Sequence, residues 1–214
     1  MDQGRIAGLL YLAASVVFII GMTLRAPILV SDPNTTIDNI RSSETLFRWS
    51  IALDITSATL FLLAAIALYS LLQAVDRTAA LTLVVFAGLG MMLACVIVID
   101  DYALLGIATR TPAAPAPDMI VTVLAELDRR GRLVTDLFSG LWLLPMGYLV
   151  MRSGFIPSVI GVLLLIGGIG WLAKLFIPLV VPEFRQIASL LPAVSISEVI
   201  LIGWLLVRGG TSGG

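Results

Sequence analysis

Two adjacent carboxylates, Asp100 and Asp101, interrupt an apolar stretch of the chain, VIVIDDYALLGI. A charged side chain at the centre of a bilayer costs at least about 2.5–3.5 kcal/mol on insertion scales, so such residues usually have a partner or a function. Five more ionisable residues lie within long apolar stretches: Arg25, Asp54, Asp136, Lys174 and Glu198. Carboxylates in this setting can bind a cation or an amine or exchange a proton, and two that share a proton can activate water.

The composition of the chain is that of a membrane protein. Of its 214 residues, 59% are hydrophobic and 13% are charged, against roughly 45–50% and about 25% in soluble domains. The net charge of −1 argues against a nucleic-acid partner, which needs a basic face. The sequence contains no histidine, which excludes histidine-ligated haem, histidine-based zinc sites and Ser-His or Cys-His catalysis. We therefore predict no metal site and no cofactor.

Six stretches are long and apolar enough to cross a membrane, which takes about 20 mostly apolar residues. They are residues 6–28, 50–73, 79–107, 133–151, 155–180 and 187–207. The sequence thus predicts an all-α, polytopic bundle of six transmembrane helices, forming one domain over residues 1–208 with a flexible tail at 209–214. The first stretch is longer than the apolar core of a signal peptide and lacks a clear cleavage site, so we expect it to be retained.

The predicted connections are long on one face of the membrane and short on the other. Residues 74–78 and 152–154 form short connections, whereas residues 31–49 and 109–132 form long ones. An even number of spans places both termini on the face with the short connections. We expect this face to be cytoplasmic, because short loops dominate the charge rule for orientation. The opposite face is called the long-loop face.

Each long connection contains an amphipathic helical pattern. In the second, Ile120, Val123, Leu124 and Leu127 share one helical face after Asp118, which is placed to cap the helix. In the first, the motif TTID (35–38) has the capping-box spacing, with Thr35 as the cap. Both segments are predicted to be interfacial helices. They either rest on lipid headgroups or cover a cavity as lids.

The seven candidate residues gather towards the long-loop face when the spans are aligned. All except Glu198, which lies about midway along the sixth span, fall within about two turns of the span ends on that face. Asp100 and Asp101 are about 100° apart on a helix, so one is predicted to face the bundle and the other the interface. Five acids against two bases predict an acidic pocket that favours a cation, an amine or proton exchange. Alternatively, these charges are only structural: buried ion pairs such as Lys174 with Asp136 or Glu198 fix helix register, and residues near the span ends extend to water.

Four segments resemble a bacterial family of multi-span proteins, the "domain of unknown function 4386" family. They are RIAGLLYL (5–12), SSETLFRWSIALDI (42–55), GLWLLPMGYLVMRSGFIPSVIGVLLLIGGIGWL (140–172) and SEVILIGWLLVRG (197–209). The long central segment is the most specific of them. The resemblance implies a six-helix protein of the bacterial inner membrane and brings no activity or catalytic residues with it.

Three functions remain open from the sequence. The leading hypothesis is a pocket that binds a small polar or amphiphilic ligand for transport, sensing or lipid handling. In a transporter, Asp54 and Asp100 would carry protons or contact a cation, and Lys174 and Glu198 would form a gating pair. The second hypothesis is an intramembrane enzyme that uses paired carboxylates, and the third is a non-catalytic accessory subunit. The expected partners are membrane lipids and the ligand.

Overall fold

The computed structural model describes residues 2–30, 32–110, 118–181, 183 and 196–209. Within these ranges the chain forms seven helices and no strand, which confirms the all-α prediction for this part of the chain. The helices are α1 (Gln3–Arg25), α2 (Pro33–Ser42), α3 (Glu44–Leu72), α4 (Arg77–Thr109), α5 (Asp118–Arg152), α6 (Ser158–Val180) and α7 (Ile196–Arg208).

Five of these helices, α1, α3, α4, α5 and α6, are long and apolar enough to cross a membrane. They correspond to the first five predicted spans and confirm that those segments form helices of the predicted length and apolar character. The sixth predicted span, residues 187–207, is described only from Ile196 onwards, as the 13-residue helix α7. Residues 187–195 lie outside the described residues, as do residues 210–214 of the predicted tail.

The second predicted interfacial helix is not a separate element. α5 begins at Asp118 and continues for 35 residues through the predicted fourth span. The segment DRRGR (128–132) contains no proline, and a single glycine in a helix costs only about 1 kcal/mol, so nothing in it ends the helix. Most of the predicted apolar face is turned outward: Ile120, Val123 and Leu127 are about half exposed. Leu124 of that face is partly buried, and Val121, outside it, is buried.

α2 is a separate short helix, and its start is fixed by Asp32 and Pro33. The Asp32 carboxylate accepts a hydrogen bond from the backbone N–H of Thr35 at 2.7 Å. Pro33 occupies the first turn, where its fixed φ favours a helix start. The capping residue is therefore Asp32, and the prediction of Thr35 as the cap was wrong. Ser43 alone separates α2 from α3.

The long helices pack as a ring in the order α1, α3, α4, α5, α6, α7, and α7 returns to α1. Arg5 donates a hydrogen bond to the carbonyl of Val207 at 3.4 Å, so the start of α1 and the end of α7 lie together. The two short turns are linked as well. Tyr148 donates to the Asp76 carboxylate at 3.3 Å and accepts from Arg152 at 2.7 Å.

The buried apolar residues form two clusters. The larger one joins all six helices of the ring and includes Tyr11, Trp142 and Leu164. The smaller one, here called the cap core, connects α2 to the long-loop ends of α1, α3, α4 and α5. Its members are Ile28, Ile37, Ile40, Phe47, Ile51, Val98, Leu104, Leu105, Ala108 and Val121. Burying one such side chain stabilises a fold by about 1.5–3 kcal/mol, so α2 is docked on the protein by its apolar side.

α5 and α6 cross at two pairs of glycines. A Cβ atom on Gly140 would lie 2.9 Å from the carbonyl oxygen of Gly168, and one on Gly147 would lie 2.7 Å from that of Gly161. The two pairs lie about two helical turns from each other along the crossing, and the two helices run antiparallel there. Only glycine permits this approach of two backbones, so the α5–α6 hairpin is a closely packed unit.

Candidate functional site

Five charged side chains from four helices form a buried ion cluster beside the cap core. They are Arg25 on α1, Asp54 on α3, Asp101 on α4, and Asp128 and Arg132 on α5. Each of the three carboxylates pairs with both guanidinium groups. The cluster therefore connects α1 to α3, α4 and α5, the three helices on which α2 packs.

The contacts within the ion cluster are short. Arg25 Nη1 lies 3.0 Å from Asp54 Oδ2. Its Nη2 pairs with Asp101 Oδ2 and lies 3.4 Å from Asp128 Oδ1. Arg132 Nη2 lies 3.0 Å from Asp54 Oδ2 and 3.5 Å from Asp101 Oδ2. Arg132 Nε lies 3.0 Å from Asp128 Oδ1. Arg25 on α1 and Arg132 on α5 thus contact the same three acids.

The ion cluster is buried and has an excess of negative charge. The side chain of Asp101 is 0% exposed and that of Arg25 is 7% exposed, whereas that of Arg132 is 33% exposed. Two guanidiniums balance two of the three carboxylates, so one negative charge remains when all five groups are ionised. Asp101 Oδ1 has no hydrogen-bond partner among the described residues. An uncompensated buried charge costs several kcal/mol, so this arrangement favours the uptake of positive charge.

Small residues allow the helices to approach at the ion cluster. Gly21 lies one turn before Arg25, and a Cβ atom there would lie 3.3 Å from Asp54 Oδ1. Gly131 precedes Arg132, and its Cβ atom would lie 2.8 Å from the side chain of Ile97. The charged groups meet because α1 lies close to α3, and α5 close to α4, at this level.

The family comparison covers all of these elements. The family model with the description "Domain of unknown function (DUF4386)" matches residues 6–209, nearly the whole chain. The chain belongs to this family. The match confirms the resemblance inferred from the sequence, and the family description assigns no activity. Comparisons with curated proteins and with solved structures found no match.

Three of the predicted site residues of this family member lie in the ion cluster: Arg25, Asp54 and Asp101. Asp100 is half-buried and lies outside the cluster, on the adjacent side of α4. Of the two neighbouring acids, Asp101 is therefore the one that faces the bundle.

The other predicted residues form two separate contacts. Lys174 Nζ lies 2.8 Å from Asp136 Oδ2 and 4.5 Å from the centroid of the Trp171 ring, which adds a cation–π contact. Glu198 accepts a hydrogen bond from the Tyr11 hydroxyl. The structure thus pairs Lys174 with Asp136 and Glu198 with Tyr11, rather than the two predicted gating residues with each other.

Sequence reasoning missed Asp128 and Arg132. Both were assigned to a long connection because they lie among other charges in DRRGR. Their four-residue spacing places them on one helical face, and they continue the buried side that begins at Val121. The signal that identifies them is this helical side, which continues without a break into the predicted fourth span. In the described parts of the chain, no three Cys, Asp or Glu side chains form a group suited to a metal ion.

Proposed function

We propose that this family member is a multi-pass protein of the bacterial inner membrane with six spans, the last completed by α7. Both termini are cytoplasmic, and α2 and the outer end of α5 lie on the long-loop face. The ion cluster beneath α2 is the binding site for a small polar or amphiphilic ligand, and the protein acts in transport, sensing or lipid handling.

One observation carries the ligand proposal. Asp101 has a carboxylate oxygen that is buried without a partner among the described residues, inside a cluster with one excess negative charge. An ion cluster that served only to hold helices together would be expected to balance its charges, because a leftover buried charge is costly. A ligand with a positive or hydrogen-bonding group offsets that cost.

The position of α2 supports access from the long-loop face. α2 buries only Thr36, Ile37 and Ile40. Its polar side is held by Arg41, which donates to the carbonyl of Ala108 at 2.9 Å. Asn39 donates to the carbonyl of Ile28 at 3.3 Å. A ten-residue helix attached along one side, by two buried isoleucines and a few hydrogen bonds, is suited to opening as a lid over the ion cluster while the bundle stays folded.

The intramembrane-enzyme alternative is less well supported. Carboxylates that activate water by sharing a proton lie against each other, as in aspartic proteases. Here Asp54, Asp101 and Asp128 each face two guanidinium groups instead. Such an arrangement is better suited to holding a ligand than to activating water.

Native mass spectrometry of the gently solubilised protein tests this function. The wild type is compared with Asp54→Asn, which changes the ion cluster, and with Asp100→Asn, which removes the same charge outside it. We expect a defined small molecule or lipid in the wild type and in Asp100→Asn, and its loss in Asp54→Asn of verified folding. An empty wild type, or bulk lipid held equally by all three, would sink the ligand proposal and favour the accessory-subunit hypothesis.

A further inference from the structure

We infer that the ion cluster binds one exchangeable proton on Asp101, and that this proton exchanges with the ligand. The inference rests on the proposed function in that the ion cluster is taken as the site. The step is an acid–base exchange: the Asp101 carboxylate takes a proton from hydronium in the water at the long-loop face and becomes a carboxylic acid. When a cationic group enters the ion cluster, the acid returns its proton to water and becomes a carboxylate again.

The ion cluster needs one added positive charge to become neutral. Arg25 faces Asp101 from α1, Asp54 faces it from α3, and Asp128 and Arg132 face it from α5. These groups sum to one negative charge when all are ionised. A single proton brings the total to zero, which is the state that a buried environment favours.

The neighbouring charged groups differ in their effect on this balance. Asp100 is adjacent to Asp101 along α4, half-buried and on another side of the helix, and its charge repels that of Asp128, which adds to the negative excess. On α2, the side chains of Asp38 and Arg41 pair at 3.5 Å and are 74% and 43% exposed, so their charges lie largely in water. With no histidine in the sequence, the carboxylates of the ion cluster are the groups available to exchange a proton there.

Asp101 is the carboxylate best placed to accept that proton. Its Oδ2 pairs with Arg25, and its Oδ1 has no hydrogen-bond partner among the residues described. A proton on Oδ1 therefore leaves Oδ2 in place as the acceptor of a hydrogen bond from Arg25, while the carboxyl group as a whole becomes neutral. Asp54 differs, because its Oδ2 lies 3.0 Å from each of the two arginines, which already compensate its charge.

A proton fits the ion cluster better than a metal cation does. A hard cation such as Ca²⁺ takes six to eight oxygen ligands at about 2.3–2.6 Å. In the ion cluster the carboxylates already face guanidinium groups, and Arg25 and Arg132 would repel a second cation within the same small volume. A proton needs one oxygen and displaces neither arginine.

The test is a pH titration of the protein in liposomes, followed by infrared difference spectroscopy between about pH 4 and about pH 9, which extends well above the ordinary carboxyl range. We expect a carbonyl band of a protonated carboxylic acid in the wild type and in Asp100→Asn. The band should be missing in Asp101→Asn, and proton uptake should differ by one proton per chain. A band that persists in Asp101→Asn, or a wild type without a titrating band of this kind, overturns the inference.

Folding of the variant is part of the same test. Asparagine has the shape of a neutral aspartic acid, so Asp101→Asn should fold and melt no lower than the wild type. A variant that fails to fold would show that the charge of Asp101 is required, which contradicts the inference. The two proposals also fail separately. If Asp101 titrates but no molecule is bound, the ligand proposal fails and the proton inference stands. If a molecule is bound but no band titrates, the proton inference fails and the ligand proposal stands.

Discussion

Asp100 and Asp101 are neighbours on α4, yet only Asp101 contacts Arg25. Asp101 is fully buried and pairs with the arginine at the end of α1, whereas Asp100 is half-buried on the adjacent side of the helix. One peptide unit thus separates an acid inside the ion cluster from an acid outside it. This pair provides a matched comparison, because both neutralisations remove the same charge at nearly the same depth.

Removing an arginine of the ion cluster should strongly destabilise the protein. Arg25→Met leaves three carboxylates with one guanidinium, and breaking a buried ion pair in this way costs about 3–5 kcal/mol. Arg48→Met is the control, since Arg48 pairs with Glu44 at 2.7 Å on the surface and such pairs contribute about 0–1 kcal/mol. Thermal unfolding in detergent measures both. Equal losses would show that the ion cluster does not support the fold.

The cap core should contribute to stability through Ile40. This side chain is 0% exposed and packs between α2 and the bundle. Ile40→Ala should therefore cost about 2–5 kcal/mol and should raise hydrogen exchange along α2. Ile120→Ala is the control, because Ile120 is about half exposed on α5 and surface changes stay within about 0.5 kcal/mol. Unchanged exchange in α2 would mean that Ile40 does not dock it.

Adding a single methyl group at the crossing of α5 and α6 should lower the stability of the protein. In Gly147→Ala the new Cβ atom would lie 2.7 Å from the carbonyl oxygen of Gly161, and overpacking of this kind costs about 1–3 kcal/mol. Gly88→Ala, where a Cβ atom meets no other atom within 4 Å, should be neutral or stabilising by up to about 1 kcal/mol because alanine favours the helix. Comparable melting temperatures for the two variants would contradict the close crossing.

Stability should fall at acidic pH through Asp76 in the turn between α3 and α4. The backbone N–H of Ala79, with the Tyr148 hydroxyl and the N–H of Thr78, holds the pKa of the Asp76 carboxyl below its usual range. A lowered pKa in the folded state adds stability above the ordinary carboxyl pKa of about 3.9, and this stability is lost as the pH falls through the folded value.

Asp76→Asn keeps a capping oxygen without a titrating charge. The wild type should melt above this variant at neutral pH, and the gap should narrow below about pH 4. Asp38→Asn, at an exposed carboxylate on α2, controls for the change in net charge. A gap that stays constant down to acidic pH would show that Asp76 adds no pH-dependent stability.

The membrane helices and most of the ion cluster could be predicted from the sequence, because apolar length and isolated charges are local signals. Arg25, Asp54 and Asp101 all stood out as charges within apolar stretches. The pairing could not be predicted, since the phase of one helix does not determine how it is rotated against its neighbours. For Lys174 the sequence predicts Asp136 or Glu198 as the partner, and the packing of α5 against α6 selects Asp136.

The errors at α2 and α5 have a common physical origin. Charged and capping residues were read as signs that a helix starts or stops, and their tertiary partners were unknown. Asp128 and Arg132 look like loop residues until Arg25 and Asp54 compensate them. At α2, the proline after Asp32 set the helix start more strongly than the capping-box spacing that followed it.

The ion cluster also implies an order of events during biosynthesis. Arg25 precedes Asp54 by 29 residues and Asp128 by 103 residues. At about 5–20 residues per second, the ribosome needs roughly 5–20 s to make the chain between Arg25 and Asp128. α1, α3 and α4 therefore leave the ribosome before α5 delivers Asp128 and Arg132. Until then the nascent chain holds one guanidinium against two aspartates, and the arrival of α5 completes the assembly of the bundle.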